Sequence, residues 1–517
     1  MGSSTEVQAG ITVVIGGFYA VCHLSTSGFP FISSVFICCL VVGCFLNEYL
    51  VKYPTGKSSK RLRPRSGHGY YCGLLVPMAV LAAQGRHVSA AHPTGKDASV
   101  SLAMSLLMQS VFIPVIGKRL SSNFFHSVLA AVIISLSSAI YSWGNIHPVN
   151  FIGVTLVHGS VIAVSQKLIR LIPQSFTMGE ATLISHGITY IFTVPLVQAV
   201  IGLDLEWDHS ELVYFLLTAG WSCVLILFFL VVIKESRNTF GFYTIVALVV
   251  VCFSIPFLLF SMNQLFFLWI LMFITKDMTR VLLFAYWILC SGIAVLLVFV
   301  NFQKLTVRPQ DPEREEQNIY NIRKTFHIFA IAVFIPGLVF DKEMLFVASS
   351  CALVVFILLE IIRKVKVKPL GPVLDQWFKV FVDWRDCGPV ILTHIYLLLG
   401  CTLPLWIHPD LKHEGIDPSL LSGVMSLGVG DTAASYVGTK LGRHKWFGSR
   451  KSVEGTVANI SFQLLGFGLL DTFGLLSAIS WRQLVFSVVT TSLLEAFTSQ
   501  IDNLILPLHM FITLALH

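Results

Sequence analysis

The chain has 517 residues, of which 55% are hydrophobic and only 12% charged, about half the charged share of an ordinary soluble domain. So few charges cannot coat a soluble protein of this length, and the composition also excludes disordered, collagen-like and coiled-coil classes. The 35 Lys and Arg against 28 Asp and Glu give a formal charge of +7, which here reads as basic loops kept on the cytoplasmic side of a membrane and not as a nucleic-acid surface.

The fold class read from this is all-α, a polytopic integral membrane protein. Apolar runs near the ~20 residues that cross a bilayer predict about fifteen transmembrane helices. They lie near 30–50, 70–84, 98–117, 124–143, 149–167, 182–202, 212–233, 241–275 (one or two crossings), 281–302, 326–341, 344–362, 387–407, 418–438, 457–479 and 484–507. The loops between them divide by charge. Residues 51–66 carry Lys52, Lys57, Lys60, Arg61, Arg63 and Arg65 with no acid, residues 363–386 carry Arg363, Lys364, Lys366, Lys368, Lys379 and Arg385, and residues 439–452 carry Lys440, Arg443, Lys445, Arg450 and Lys451. The loop at 408–417 is acidic on balance, with Asp410, Glu414 and Asp417 against Lys412. The positive-inside rule puts 363–386 and 439–452 in the cytosol and 408–417 on the far side. The cysteines lie mostly inside apolar runs without CxxC spacing, which removes zinc and disulfide frameworks. The N-terminus lacks a basic stretch followed by a small-residue cleavage site, so the first span is expected to act as the insertion signal.

Polar residues gather beside span ends only from about residue 304 onward, so chemistry is expected in the second half. In RKTFHIFA, Arg323, Lys324 and His327 share a helix face where the span at 326–341 begins. They read either as snorkelling anchors or as a phosphate or headgroup clamp with His327 as a proton carrier. Glu360, just before Arg363 and Lys364, reads as a snorkelling acid. The strongest segment is SLGVGDTAASYVGTKLGRHKWFGSRKSVEGT at 426–456. Gly430, Ala434, Gly438 and Gly442 recur every four residues, a small-residue face that lets another backbone or a ligand come close. Asp431 and Ser435 stand one turn apart on the neighbouring face, and an Asp in a membrane helix is costly enough to need a reason. The bases that follow, with Gly448 and Ser449 among them, offer charge and approachable amides to an anion. An Asp beside such a cluster is a common way to hold a divalent metal on phosphates. The plainer alternative is a packing face leading into a positive-inside loop. The segment is not a Walker A loop, and protein-kinase motifs are absent.

In LLEAFTSQIDNLILPL, Glu495, Ser499 and Asp502 form a stripe on one face of the span at 484–507. Acids inside an apolar run favour a metal, a cation or a catalytic base over a polar network that only ties helices together. If 439–452 is cytosolic, 457–479 crosses away and 484–507 returns, so Asp431, the basic loop, Asp502 and Lys324 are expected at one membrane surface.

GVGDTAASYVGTKLG, KSVEGT and EAFTSQIDNLILPL, with RKTFHIFA upstream, resemble the dolichol kinases, CTP-dependent polyprenol kinases of the endoplasmic reticulum, over about residues 320–510. Many members of the wider superfamily of phytol kinases, CTP-dependent diacylglycerol kinases and phosphatidate cytidylyltransferases carry Gly-Asp-Gly where this chain has Gly430-Asp431-Thr432. The resemblance implies transfer of the γ-phosphoryl group of CTP to dolichol or another polyprenol drawn from the bilayer, on the cytosolic face of the endoplasmic reticulum membrane. It implies Mg²⁺ on Asp431, with Asp502 and Glu495 as further metal ligands or Asp502 as the base. The triphosphate cradle would be Lys440, Arg443, Arg450, Lys451 and the backbone from Gly448 and Ser449 to Ser452. Gly430, Thr432, Ser435 and Gly455 would line the nucleotide site, Glu454 would orient a Lys or bind metal, and Arg323, Lys324 and His327 would add phosphate contacts and proton transfer. It divides the chain into an N-terminal helical region, 1–303, and a catalytic region, 304–517. Membrane lipid is a partner on this reading, and a homo-oligomer is compatible with it. The competing readings are a cytidylyltransferase or CTP-dependent kinase for another lipid, and an ion-coupled transporter. The transporter requires inverted repeats and midplane acids, and no repeat is visible.

Overall fold

The computed structural model of the protein describes residues 8–17, Tyr19, 61–85 without Arg65, part of 103–110, 148–193, 210–233, 238–262, 266–307, 312–378, 388–408, 410–477 and 480–515. Among these residues every regular element is helical, and the only β contacts are isolated bridges at Ile416–Leu476 and Lys445–Ser452.

A 3₁₀ turn at Tyr70–Leu74 leads into α1 (Leu75–Gly85), followed by α2 (Pro148–Leu171) and α3 (Met178–Ile188). Then come α4 (Ser210–Val232), α5 (Thr239–Val249), a π turn at Val250–Ser254, α6 (Ile255–Met262), α7 (Phe266–Ile274), α8 (Met278–Val307), α9 (Pro312–Phe340), α10 (Lys342–Val365), α11 (Leu370–Trp377) and α12 (Thr393–Ile407). The last stretch holds a 3₁₀ turn at Pro418–Leu421, a π segment at Val424–Asp431, α13 (Thr432–Lys440), α14 (Val453–Thr472), α15 (Trp481–Phe497) and α16 (Asp502–Leu514). Side-chain caps fix several starts. Asp341 accepts the Met344 amide at 2.7 Å, and Ser452 accepts that of Gly455 at 3.2 Å, each satisfying an otherwise orphaned N–H.

Six helical stretches among the described residues are long and apolar enough to cross a bilayer: Glu211–Leu230, Thr239–Phe260, Met278–Asn301, Ile322–Phe340, Lys342–Val365 and Val453–Thr472. A multi-pass helical membrane protein follows from them; the expected fifteen crossings do not. The spans expected at 30–50 and 124–143 lie outside the described residues. In the run at 241–275 one crossing continues through the π turn, and the nine described residues of α7 lie in the same run. Two others are divided. The run at 418–438 is 3₁₀, π and α in succession. The run at 484–507 is interrupted between α15 and α16.

The helices gather into two compact units, Met1–Trp207 with Cys387–Pro389 and Trp406–His517, and Asp208–Asp386 with Val390–Leu405. This division does not follow the expected boundary at residue 303. In the second unit, Ile226, Leu230, Phe242, Ile245, Val249 and Ile361 form a buried cluster across α4, α5 and α10. Its α8 exposes Leu282, Leu289 and Leu296, a surface suited to lipid and not to water. Glu360 does not snorkel: it is buried, pairs with Arg363 at 2.6 Å and accepts the Ile391 amide at 2.8 Å. In the first unit the interior between α14 and α15 is polar but bonded, with the Ser492 hydroxyl donating to Asn459 Oδ1 at 3.1 Å and Gln463 also bonded to Asn459.

Candidate active site

The site is assembled in the first unit from the π segment, the turn between α13 and α14, and the junction of α15 with α16. The π segment ends at Asp431, which is buried at 2% exposure. A π turn is wider than an α turn, so it changes which residues share a face, and such turns recur at functional sites. From Thr432 onward the chain is α-helical and its small-residue face meets α14. A Cβ on Gly455 would lie 2.8 Å from the Ala434 carbonyl oxygen, and one on Gly438 would lie 2.9 Å from Ser452 Oγ. The expected small-residue face therefore receives the start of α14, a backbone and not a ligand. Gly430 faces Asn459 and Gln463 of the same helix.

Residues 441–452 form a tight turn. The Trp446 amide donates to the Lys451 carbonyl at 3.1 Å, that of Ser449 to the Trp446 carbonyl at 3.0 Å, and that of Val453 to the His444 carbonyl at 2.8 Å. Gly448 sits at φ 75°, the left-handed region that glycine adopts at least cost. Two side chains anchor the turn. The Trp446 indole donates to Thr456 Oγ1 at 2.9 Å and meets the Phe497 ring edge-on at 5.3 Å. The Ser449 hydroxyl donates to the Ala496 carbonyl at 2.7 Å. Glu454 serves the turn itself, accepting the His444 amide at 3.1 Å and contacting His444 Nδ1 at 2.7 Å. The hydroxyls of Ser449 and Ser452 and the Glu454 carboxylate, the last expected to orient a Lys or bind metal, hold the turn in shape.

The bases sort by direction. Lys440, Arg443, Lys445 and Arg450 are exposed, and the Lys440 ammonium lies 4.1 Å from the Tyr436 ring centre. Lys451 turns inward onto Glu495, whose side chain is 2% exposed. Burial pulls the Lys451 ammonium toward neutrality, but Glu495, Asp431 and Asp502, with the Glu495 contact, outweigh it and hold the pKa above its ordinary 10.5. Acids from separate stretches of sequence therefore act electrostatically on one cation, with Glu495 in direct contact.

The helical stripe expected from Glu495 through Ser499 to Asp502 is interrupted. α15 ends at Phe497, Thr498 and Ile501 are extended, and Asp502 is the first residue of α16. The freed amides find side chains instead: that of Gln500 donates to Thr498 Oγ1 at 3.1 Å and that of Ile501 to Glu180 Oε1 at 2.9 Å. Glu180 was not among the expected site residues. Its signal is the Thr-x-x-Glu capping box at 177–180, in which Thr177 Oγ1 accepts the Glu180 amide at 3.2 Å and Glu180 Oε2 that of Thr177 at 2.9 Å. Arg63, counted as a loop base, is buried and pairs with Glu180 at 2.5 Å. Arg323, Lys324 and His327 stand on α9 of the second unit, with His327 buried.

No group of three or more His, Cys, Asp or Glu among the described residues is arranged to hold a metal ion. Glu495 is paired with Lys451, and the donor set to compare with a metal's needs is then Asp431 with Asp502. That donor set suits Mg²⁺, which takes one or two carboxylates and completes its shell with phosphates and water.

The sequence model of the family described as dolichol kinase matches residues 98–459. The match begins well before residue 320, where the motifs were read, and stops short of Glu495 and Asp502. The chain is 35% identical to dolichol kinase of Homo sapiens over 361 residues, 67% of this chain and 66% of that protein, and 33% identical to that of Mus musculus over 359 residues with the same coverage. It is 38% identical to dolichol kinase EVAN of Arabidopsis thaliana over 260 residues, 49% of this chain and 44% of that protein. The chain thus spans just under two thirds of the length of the human and mouse relatives. No solved structure matches it.

Proposed function

The chain belongs to the dolichol kinase family, and from that membership we propose that it transfers the γ-phosphoryl group of CTP to the terminal hydroxyl of dolichol, giving dolichyl phosphate and CDP. The observation that supports the reading is the Lys451–Glu495 contact together with the electrostatic influence of Asp431 and Asp502 on the same ammonium. The alcohol oxygen forms a bond to the γ-phosphorus, the bond from that phosphorus to the β–γ bridging oxygen breaks, CDP leaves with the electron pair, and the alcohol proton passes to the Asp502 carboxylate. Such a transfer needs positioning and charge neutralisation more than covalent help. Asp431 would hold Mg²⁺, which would neutralise phosphate charge when bound, with Asp502 kept for the proton. Lys451 would turn from Glu495 toward the phosphates, and the exposed Arg443, Lys445 and Arg450 would draw the nucleotide to the turn. We assign Arg323, Lys324 and His327 no step.

Dolichol would reach the pocket from the bilayer along α14, whose Val457, Phe462, Leu465 and Leu469 are exposed. Dolichyl phosphate is the lipid carrier for protein N-glycosylation and mannosylation, so the reading places the protein in the endoplasmic reticulum membrane with the pocket toward the cytosol. The test is detergent-purified protein given γ-labelled CTP, dolichol and Mg²⁺, with labelled ATP as control. Labelled dolichyl phosphate and CDP are expected from CTP. Release of pyrophosphate with a CDP-lipid, or labelling from ATP alone, would overturn the assignment.

A further inference from the structure

The segments 61–71 and 173–180, remote in sequence from every motif, close around the break between α15 and α16. We infer that Glu180, held by Arg63, is a positioning residue for Asp502; the inference rests on the kinase reading above.

One carboxylate serves three donors there. Glu180 Oε1 accepts the Ile501 amide at 2.9 Å and Arg63 Nη2 at 2.5 Å, while Oε2 accepts the Thr177 amide at 2.9 Å. A helix cap needs only the Thr177 bond. The additional bond goes to the residue immediately before Asp502. The neighbours of Ile501 are tied to the same early segments: Tyr71 Oη bonds Thr498 Oγ1 at 2.8 Å, Thr177 Oγ1 donates to Gln500 Oε1 at 2.7 Å, and Gln500 Nε2 donates to the Gly67 carbonyl at 3.3 Å. Arg63 is fixed in turn, its amide donating to the Phe176 carbonyl at 2.9 Å and its Nε to Ser66 Oγ at 3.0 Å. Glu495 and the Lys451 contact lie upstream of the break and Asp502 lies downstream. The backbone direction at Ile501 therefore sets where Asp502 stands relative to Lys451, and the Glu180 carboxylate holds that direction. The Arg63 guanidinium keeps the carboxylate aimed.

Glu180→Gln keeps the side-chain size but cannot accept from Ile501, Arg63 and Thr177 together. In the full-length protein, kcat should fall about 10- to 100-fold, as misplacement of a reacting group by about 1 Å does. The CTP KM should stay within about twofold, because the loop that meets the nucleotide is untouched. Arg63→Lys, which keeps the charge and loses the fork, should give an intermediate loss at an unchanged melting temperature. Peptides covering 498–502 should exchange backbone hydrogen faster in Glu180→Gln while those of α14 do not change. A folded Glu180→Gln with wild-type kcat, unchanged exchange at 498–502, or a parallel fall of kcat, CTP affinity and melting temperature in both variants would overturn the assignment. Wild-type protein that fails to phosphorylate dolichol would overturn the kinase reading instead, with the exchange result still judging the role of Glu180.

Discussion

Replacing Lys451 with Met removes the cation that Glu495 contacts and on which Asp431 and Asp502 also act. Orphaning a fully buried charge costs about 3–5 kcal/mol. The Lys451 side chain keeps 44% exposure, so solvent screening brings the stability loss down to on the order of 1 kcal/mol. The effect on nucleotide is larger. A charged hydrogen bond to phosphate contributes roughly 1.5–3 kcal/mol, which at 1.4 kcal/mol per tenfold raises the CTP KM about 10- to 150-fold. The dolichol KM should move less than about twofold, since Lys451 faces carboxylates and not the lipid side. Titration of γ-labelled CTP at saturating dolichol, then the converse, separates the two constants. The pH dependence follows from the raised pKa. Burial opposes the charge but Glu495, then Asp431 and Asp502, outweigh it. A group raised on folding contributes fully below its unfolded value and loses that contribution only as pH climbs through its folded value, here above 10.5. Between about pH 6 and 9 the wild-type CTP KM should therefore show no limb from Lys451. A folded Lys451→Met enzyme with an unchanged CTP KM, or with equal rises for CTP and dolichol, would refute the reasoning.

Asp431→Asn preserves size at the end of the π segment but removes the charge, and should abolish turnover while the protein still extracts and elutes like wild type; retention of more than about a tenth of the activity would remove Asp431 from the chemistry. Gly455→Val places a Cβ 2.8 Å from the Ala434 carbonyl oxygen and 3.0 Å from Ser452 Oγ, so overpacking should cost about 1–3 kcal/mol. Thermal unfolding in detergent reads it, and a wild-type melting curve would show that α13 and α14 do not cross at that glycine.

What the sequence made legible is mostly local. The four-residue spacing of Gly430, Ala434, Gly438 and Gly442 is a property of one helix face, and it found its partner in the start of α14. Asp431 and Lys451 lie within one short segment, so reading them together needed no long-range information. The break before Asp502 was not legible, because LLEAFTSQIDNLILPL is apolar enough to read through. The acceptor that stabilises the break sits 321 residues away, and hydropathy windows carry no trace of it. Arg63 was misread for a related reason. Its charge counts toward the positive-inside bias whether or not it is exposed, and only tertiary structure shows that a carboxylate buries it. The run at 418–438 is 3₁₀, π and α in succession, and composition is nearly blind to that difference.

The division between inward and outward bases bears on how a pocket of this kind takes an anion. Asp431, Glu495 and Asp502 would repel a triphosphate if left alone, and four inward bases would repel a metal. Among the described bases of 440–451 only Lys451 turns inward, and set against the three acids it leaves two formal negative charges, a match for one divalent cation. Lys440, Arg443, Lys445 and Arg450, kept at the surface, can raise the local concentration of nucleotide without disturbing that balance. The turn that carries Arg443, Lys445 and Arg450 is clamped to α15 by Trp446 and Ser449, the same helix that supplies Glu495 to Lys451. On the proposed reading, charge capture belongs to the rim and charge balance to the core. Adding salt should therefore weaken CTP capture through the exposed bases while leaving the Lys451 contact, screened far less, in place.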